Sequence, residues 1–242
     1  MKVDKNLLYS NIKLKISETN KKIGDVEVEA GMAAGYLSKL QKDEAKNNNI
    51  LDFIVSVSEQ LGISVDSLVH VDYSSLTKTE RYFADFVDKL IRETTKGELC
   101  WNKETVETLN DFTYQSIHPL FIPDELYGDT YEPKSFKYNS LFETGVNISS
   151  DCYNVEINGN TLYLMNTYSK SEPFGMELYF VKPIDYERSD VIKICQIGVN
   201  SPLEKIGGDL NAAAKESSNH IKLDNNAKSI IDDFMNDIPF LK

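Results

Sequence analysis

The side chains able to do covalent or acid–base chemistry are scattered through this sequence. His70, His118 and His220 lie far apart, none of them in an HExxH pattern, and neither a glycine-rich phosphate loop nor a nucleophile elbow occurs. Cys100, Cys152 and Cys195 form no CxxC pair. Cys195 alternates within a strand pattern, as a small buried apolar residue would, and Cys100 beside Trp101 has no neighbouring thiol to resolve an oxidised state. Asp232-Asp233 ends an apolar helical pattern, where a solvated face accounts for it. The sequence therefore points away from an enzyme and from a metal or cofactor site. Binding chemistry remains, concentrated in GMAAGYLSKLQK, residues 31 to 42.

Gly31 is followed by Leu37 and Leu40 six and nine residues later and preceded by Val26 at five. A helix that offers its outer face to the DNA major groove needs a bracing helix, a tight turn and inward apolar residues that hold the pair together. The spacing supplies all three.

The flanking elements must position that stretch. Residues 7 to 70 read as short packed helices, in LLYSNIKLKI, IGDVEVEAG, AAGYLSKLQK, ILDFIVSVSEQLG and SVDSLVH. Ile50, Ile54, Val57 and Leu61 recur at helical spacing, Gly62 supplies a stop, and Ser64 can cap the next helix. Beyond the polar HVDYSSL, Thr77 and Glu80 have capping-box spacing. Tyr82, Phe83, Phe86, Val87, Leu90 and Ile91 then repeat with helical period up to Gly97. That apolar face is wide enough to pack on a second domain or on a second subunit.

After residue 98 the pattern changes. CYNVEINGNTLYLMNTY places Asn158-Gly159 between two strand-like runs, a hairpin signal, and GMELYFVKP and DVIKICQIGV add two further strands. An antiparallel meander with one covered face is expected. The tail returns to helix in PLEKIGGDLNAAAKE, where Gly207-Gly208 is expected to split or kink the helix, and again in NNAKSIIDDFMND. Aromatic residues from Phe112 to Phe142 occupy a Pro-containing stretch of weak periodicity, able to line a ligand pocket but more simply wrapping a core. The fold class is thus α+β: an all-α five-helix N-terminal domain over residues 1–71, a connecting helix over 72–97, and an antiparallel β-meander with flanking helices over 98–242.

The first of these domains resembles the phage-repressor-like, or XRE-type, helix-turn-helix family. The Gly31 turn, the GYLSKL second helix and the closing LGISVDSL segment carry the resemblance, which covers residues 7 to 70, about a quarter of the chain. It implies base-edge contacts from Ala33, Ala34, Gly35, Ser38 and Lys39, with Tyr36 flanking them. Alanine can meet a thymine methyl and Lys39 can reach a guanine edge. Phosphate contacts, which fix register, would come from Lys21 and Lys22 before the bracing helix and from Lys42, Lys46, Asn47, Asn48 and Asn49 after the reading helix. The chain departs from the pattern at four residues in three places. Glu27 stands where the family usually has a small residue, so its carboxylate must turn outward or find a partner. Ser58 replaces an alanine, and Lys22-Ile23 replaces the usual Thr or Ser cap followed by Gln.

Charge limits the reading. The 242 residues carry 26 Lys plus Arg against 38 Asp plus Glu, net −12. Residues 1–71 hold nine Lys, no Arg and ten acidic residues, and residues 72–242 are net −11. The C-terminal part is therefore unsuited to nucleic acid and suited to a protein or small-molecule effector, or to assembly. The expected function is a sequence-specific DNA-binding transcriptional regulator, a repressor acting as a homodimer on double-stranded DNA, cytoplasmic, with free thiols and no membrane association. The rival is an acidic interaction or inhibitor protein that keeps a helix-turn-helix scaffold without reading sequence.

Overall fold

The computed structural model describes residues 3–42, 44, 50–104, 121–123, 126–127, 132–133, 136–138, 147–148, 152–169, 172–184 and 189–219. Five helices come first: α1 (Lys5–Ser17), α2 (Ile23–Glu29), α3 (Tyr36–Gln41), α4 (Ile50–Leu61) and α5 (Val65–His70). Asp4 caps α1 by accepting from the backbone N–H groups of Asn6 and Leu7, and Ser64 caps α5 through the N–H of Ser67. Gly62, with φ of 62°, ends α4 in the left-handed region that glycine adopts without a steric penalty. Leu8, Ile12, Val26, Leu37, Leu40, Phe53, Ile54, Val57 and Leu68 form the interior of this bundle.

Asn11 is fully buried on α1 and uses its whole amide. Its Nδ2 donates to the carbonyls of Leu68 and Val71 at 2.9 and 2.6 Å, and its Oδ1 accepts from the N–H of Tyr73. The chain leaving α5 is therefore fastened to α1, at a place where an unpaired amide would be costly.

Helix α6 (Lys78–Thr95) carries the capping box that the sequence announces. Thr77 Oγ1 accepts from the N–H of Glu80, and the N–H of Thr77 donates to Glu80 Oε2 at 2.7 Å. One side of α6 meets the bundle. Asp85 accepts from Lys15 Nζ at 2.5 and 2.7 Å, and the ammonium also lies 4.3 Å from the centre of the Tyr73 ring. Its other side packs on the last described helix, α7 (Glu204–Asn219). Trp101, fully buried, joins them: its indole N–H donates to Thr94 Oγ1 and its backbone N–H to Ser217 Oγ.

The strands are β1 (Asn102–Glu104), β2 (Phe121–Pro123), β3 (Leu126–Tyr127), β4 (Glu132–Pro133), β5 (Phe136–Tyr138), β6 (Asn147–Ile148), β7 (Cys152–Ile157), β8 (Asn160–Ser169), β9 (Glu172–Pro183) and β10 (Ser189–Gly198). The main sheet is antiparallel in the order β1-β7-β8-β9-β10, with β6 pairing β8, while β2 pairs β5 and β3 pairs β4. The β7–β8 hairpin turns at Asn158 and Gly159, whose φ values of 53° and 75° are those of the turn that Asn-Gly favours. One face of the sheet, with Tyr153, Val155, Leu162, Leu164, Met176, Leu178 and Ile197, packs into the same apolar core as the helices. The alternate positions Cys152, Tyr163, Met165, Glu177, Tyr179 and Val181 are buried on the other face.

Two local expectations are corrected. Ala33, Ala34 and Gly35, expected within the second helix of the pair, lie in the turn before α3, because Gly35 takes the left-handed φ of 87° that a helix cannot contain. The expected split at Gly207-Gly208 is also absent. Helix α7 runs unbroken through Gly207-Gly208. A Cβ at Gly207 would come 3.2 Å from Ile197 Cδ1 and 3.3 Å from Met176 Cε. The glycine therefore brings the helix axis close to the sheet, and that packing keeps the helix continuous where local propensity argues for a break.

The expected helix at residues 225–237, with Asp232-Asp233, lies outside the described residues, as do His118, His220 and much of the aromatic stretch from Phe112 to Phe142. Among the described residues no helix is long and apolar enough to cross a membrane.

Candidate nucleic-acid interface

The site is built on α2 and α3 and the turn between them. Helix α2 buries Val26 and Glu27 and exposes Asp25, Val28 and Glu29. The turn follows at Gly31, with φ of 75° and the N–H of Met32 donating to the Glu27 carbonyl at 2.8 Å. Helix α3 then buries Leu37 and Leu40, each 1% exposed, against the bundle.

The start of α3 is unusual. Its N-cap residue is Gly35, in the left-handed region with φ of 87°, which offers no side chain to the first-turn N–H groups. Glu27 fills that role from the neighbouring helix. Its Oε2 accepts from the N–H of Gly35 at 2.6 Å and its Oε1 from the N–H of Leu37 at 2.7 Å, with the residue only 2% exposed. Charge-assisted bonds of this kind are short and strong, and a carboxylate at a helix N-terminus also meets the favourable end of the peptide dipoles. The alternatives left by the sequence are thereby decided: the Glu27 carboxylate turns inward and has two partners.

Ala33, Ala34, Gly35, Ser38 and Lys39 are all exposed, in the turn and on the outer face of α3. A Cβ added at Gly24 of α2 would meet the Ala34 Cβ at 3.8 Å, an ordinary contact distance. Tyr36 is half-buried instead, its ring meeting Phe53 edge-on at 4.9 Å between centroids, and that burial raises its phenol pKa. Tyr36 therefore helps seat α3 on α4. Lys39, with its long flexible side chain, is the exposed cation of α3 itself.

Lys21, Lys22 and Lys42 are exposed at the two ends of this pair of helices. Lys22 is the N-cap of α2 and makes no side-chain capping bond. Lys21 pairs with Glu29 at 2.8 Å, an exposed ion pair that contributes little to stability and that a stronger anion can displace. Among the described residues Lys22, Lys39 and Lys42 have no carboxylate within ion-pair distance. Lys46, Asn47, Asn48 and Asn49 lie outside the described residues.

On the sheet, Glu177 is buried and satisfied by the Tyr179 hydroxyl and by Lys193 Nζ, each at 2.7 Å. Among the described residues no three His, Cys, Asp or Glu side chains converge as a metal site.

Helical spacing sorts inward Leu37 and Leu40 from outward Ser38 and Lys39, but it also assigns Ala33, Ala34 and Gly35 to the helix, whereas they lie exposed in the turn before it. Sequence reasoning marked Glu27 as anomalous without finding its partners, which are backbone N–H groups eight and ten residues away across a turn. No family model matches this chain, and no curated protein or solved structure matches it.

Proposed function

We propose that this protein is a sequence-specific DNA-binding regulator whose first five helices act as a phage-repressor-like domain, with α3 entering the major groove. The observation that carries the reading is the division of α3 and the turn before it: Leu37 and Leu40 are buried, while Ser38 and Lys39 on the helix and Ala33 and Ala34 in the turn are exposed, as are Lys22 and Lys42 at the ends of the helix pair. Small side chains allow close approach of the helix to base edges, and methyl contacts to thymine suit Ala33 and Ala34. Lys39 supplies the long polar contact. Lys21, Lys22 and Lys42, with Lys46, Asn47 and Asn48, are assigned to phosphates.

The net charge of residues 1–71 is −1, so the affinity of one copy is low. A homodimer on paired half-sites raises it by making the second contact intramolecular. The acidic C-terminal part, with its sheet and α7, is assigned to that assembly or to sensing a protein or small-molecule effector. Repression is the mode we assign.

The rival reading, an acidic interaction protein, draws support from the net charge of −12 and from the Lys21–Glu29 pair on the α2 surface. Fluorescence anisotropy with duplex DNA from upstream of the protein's own gene separates the two. Regulation through DNA reading requires binding that weakens linearly in log–log form as salt rises, and a preference for one segment that Lys39→Ala erodes. Binding insensitive to salt, or a preference that Lys39→Ala leaves intact, overturns the reading in favour of the rival.

A further inference from the structure

The reading helix is short and poorly self-supporting. Helix α3 has six residues, fewer than an isolated helix needs to persist in water, and its N-cap glycine cannot cap it. Its direction relative to α2 must come from tertiary contacts. Leu37 and Leu40 fix which side of the helix faces inward, the Tyr36 ring meets Phe53 edge-on, and Gln41 Nε2 donates to Asn6 Oδ1 at 3.3 Å on the exposed side. None of these side-chain contacts holds the backbone at the start of the helix, which they leave free to shift.

Glu27 removes that freedom. Three bonds converge on this one residue: its carbonyl accepts from Met32 before the helix, and its two carboxylate oxygens accept separately from Gly35 and Leu37 at the helix start. Two N–H groups held by two oxygens of one planar group define an orientation as well as a distance. The group is buried, so water does not compete for these bonds.

We propose that Glu27 is a positioning residue for DNA reading: its carboxylate sets the pitch of α3 against α2 and so aligns Ala33, Ala34, Ser38 and Lys39 with the base edges. This inference rests on the DNA-binding function proposed above. Glu27 touches no DNA itself. It acts on discrimination among sequences more than on phosphate contacts: Lys21 and Lys22 stand at the start of α2 and keep their place, and Lys42, the C-cap of α3, has a long flexible side chain that still reaches a phosphate after a small change of pitch.

The test compares Glu27→Gln with Ser64→Ala, which removes the side-chain cap of α5 and leaves α3 alone. Both full-length variants are measured well below their melting temperatures against the preferred duplex and a shuffled duplex of equal length. A glutamine offers one oxygen and one amide donor, so one of the two N–H groups faces a donor and the helix start is released. The expected result for Glu27→Gln is an affinity ratio between the two duplexes lowered about tenfold, with shuffled-duplex affinity and salt slope unchanged. Ser64→Ala is expected to lower the melting temperature while keeping the ratio. The inference is overturned if Glu27→Gln keeps the wild-type ratio, or if Ser64→Ala loses it equally, which would make stability alone the cause. A wild-type protein that shows no preference between duplexes overturns the DNA-binding reading itself, and the inference with it. That outcome is told apart because it appears before any substitution.

Discussion

The backbone N–H of Ser64 donates to both carboxylate oxygens of Asp88, at 3.1 Å each, although 24 positions separate the two residues. Asp88 lies on α6 and is 1% exposed; its Oδ2 also accepts from Arg92 Nε at 2.9 Å. Ser64 opens α5. Helix α6 therefore caps the last helix of the bundle from outside, one turn beyond the point where Asp85 takes the Lys15 ammonium from α1. Through Trp101 and α7 the same helix reaches the sheet, and bundle, α6, α7 and one sheet face share a continuous apolar core. The relation repeats that of Glu27 and α3: in both, a buried carboxylate on one helix satisfies the N-terminus of another.

Asp88→Ala is expected to lower the unfolding free energy by roughly 2 kcal/mol. The loss combines an uncapped N–H at Ser64 with a guanidinium at Arg92 deprived of its carboxylate. Arg92 is partly exposed and can rehydrate, which keeps the loss below that of breaking a fully buried pair. Asp88→Asn, which keeps one acceptor oxygen, should lose less. Urea unfolding followed by circular dichroism gives both values, and an Asp88→Ala protein as stable as the wild type would refute the capping role.

The difference between these caps and those readable in the sequence is one of distance along the chain. Thr77 with Glu80, Ser64 with Ser67, and Asn158 with Gly159 act within three residues of themselves, so residue types at fixed offsets reveal them. Leu37 and Leu40 were likewise legible, because helical periodicity says which side faces the core. Glu27 and Asp88 act on N–H groups that approach only after helices pack, and nothing in local spacing points to them. Gly207 shows the reverse error. Local propensity argues for a broken helix, whereas the tertiary demand for close approach to Ile197 and Met176 uses the missing side chain and leaves the helix whole.

The Thr77–Glu80 box makes part of the stability pH-dependent. Its bonds from the Thr77 backbone N–H and hydroxyl lower the Glu80 carboxyl pKa from its ordinary value. A depressed acid contributes stability that is present above its unfolded-state pKa and is lost as pH falls through the folded-state value. The gap in melting temperature between wild type and Glu80→Gln should therefore be open at neutral pH and close as pH drops below the ordinary glutamate range. A gap of constant width across that window would mean that the carboxylate bond is not formed.

The thiols should divide by burial. Cys100 is exposed, Cys152 is buried, and Cys195 is half-buried on β10 beside an irregularity in its pairing with β9. Burial pushes the Cys195 thiol up to about 11, so almost none of it is thiolate near pH 8. A chromogenic disulfide reagent added to the native protein at that pH should consume one thiol rapidly and the other two only after denaturant is added. Rapid loss of a second thiol that disappears in Cys195→Ser would show that β10 opens at its bulge in the native state.

Two glycines should respond to alanine in opposite directions. Gly175 on β9 has φ of 149°, and a Cβ there would lie 2.4 Å from the Ile197 carbonyl oxygen, a backbone atom that can move only if the β9–β10 pairing shifts. Gly208 lies inside α7, with nothing within 4 Å of its notional Cβ. Gly208→Ala adds helix propensity without a clash and should raise stability by about 0.5–1 kcal/mol. Gly175→Ala should lower it by about 3 kcal/mol or more, since overpacking against backbone adds to an unfavourable φ. Denaturant midpoints of the two variants, read beside the wild type, should fall on opposite sides of it. Both falling on the low side would mean that α7 needs a glycine at 208 for a reason other than space, while an unaffected Gly175→Ala protein would place the β9–β10 register elsewhere.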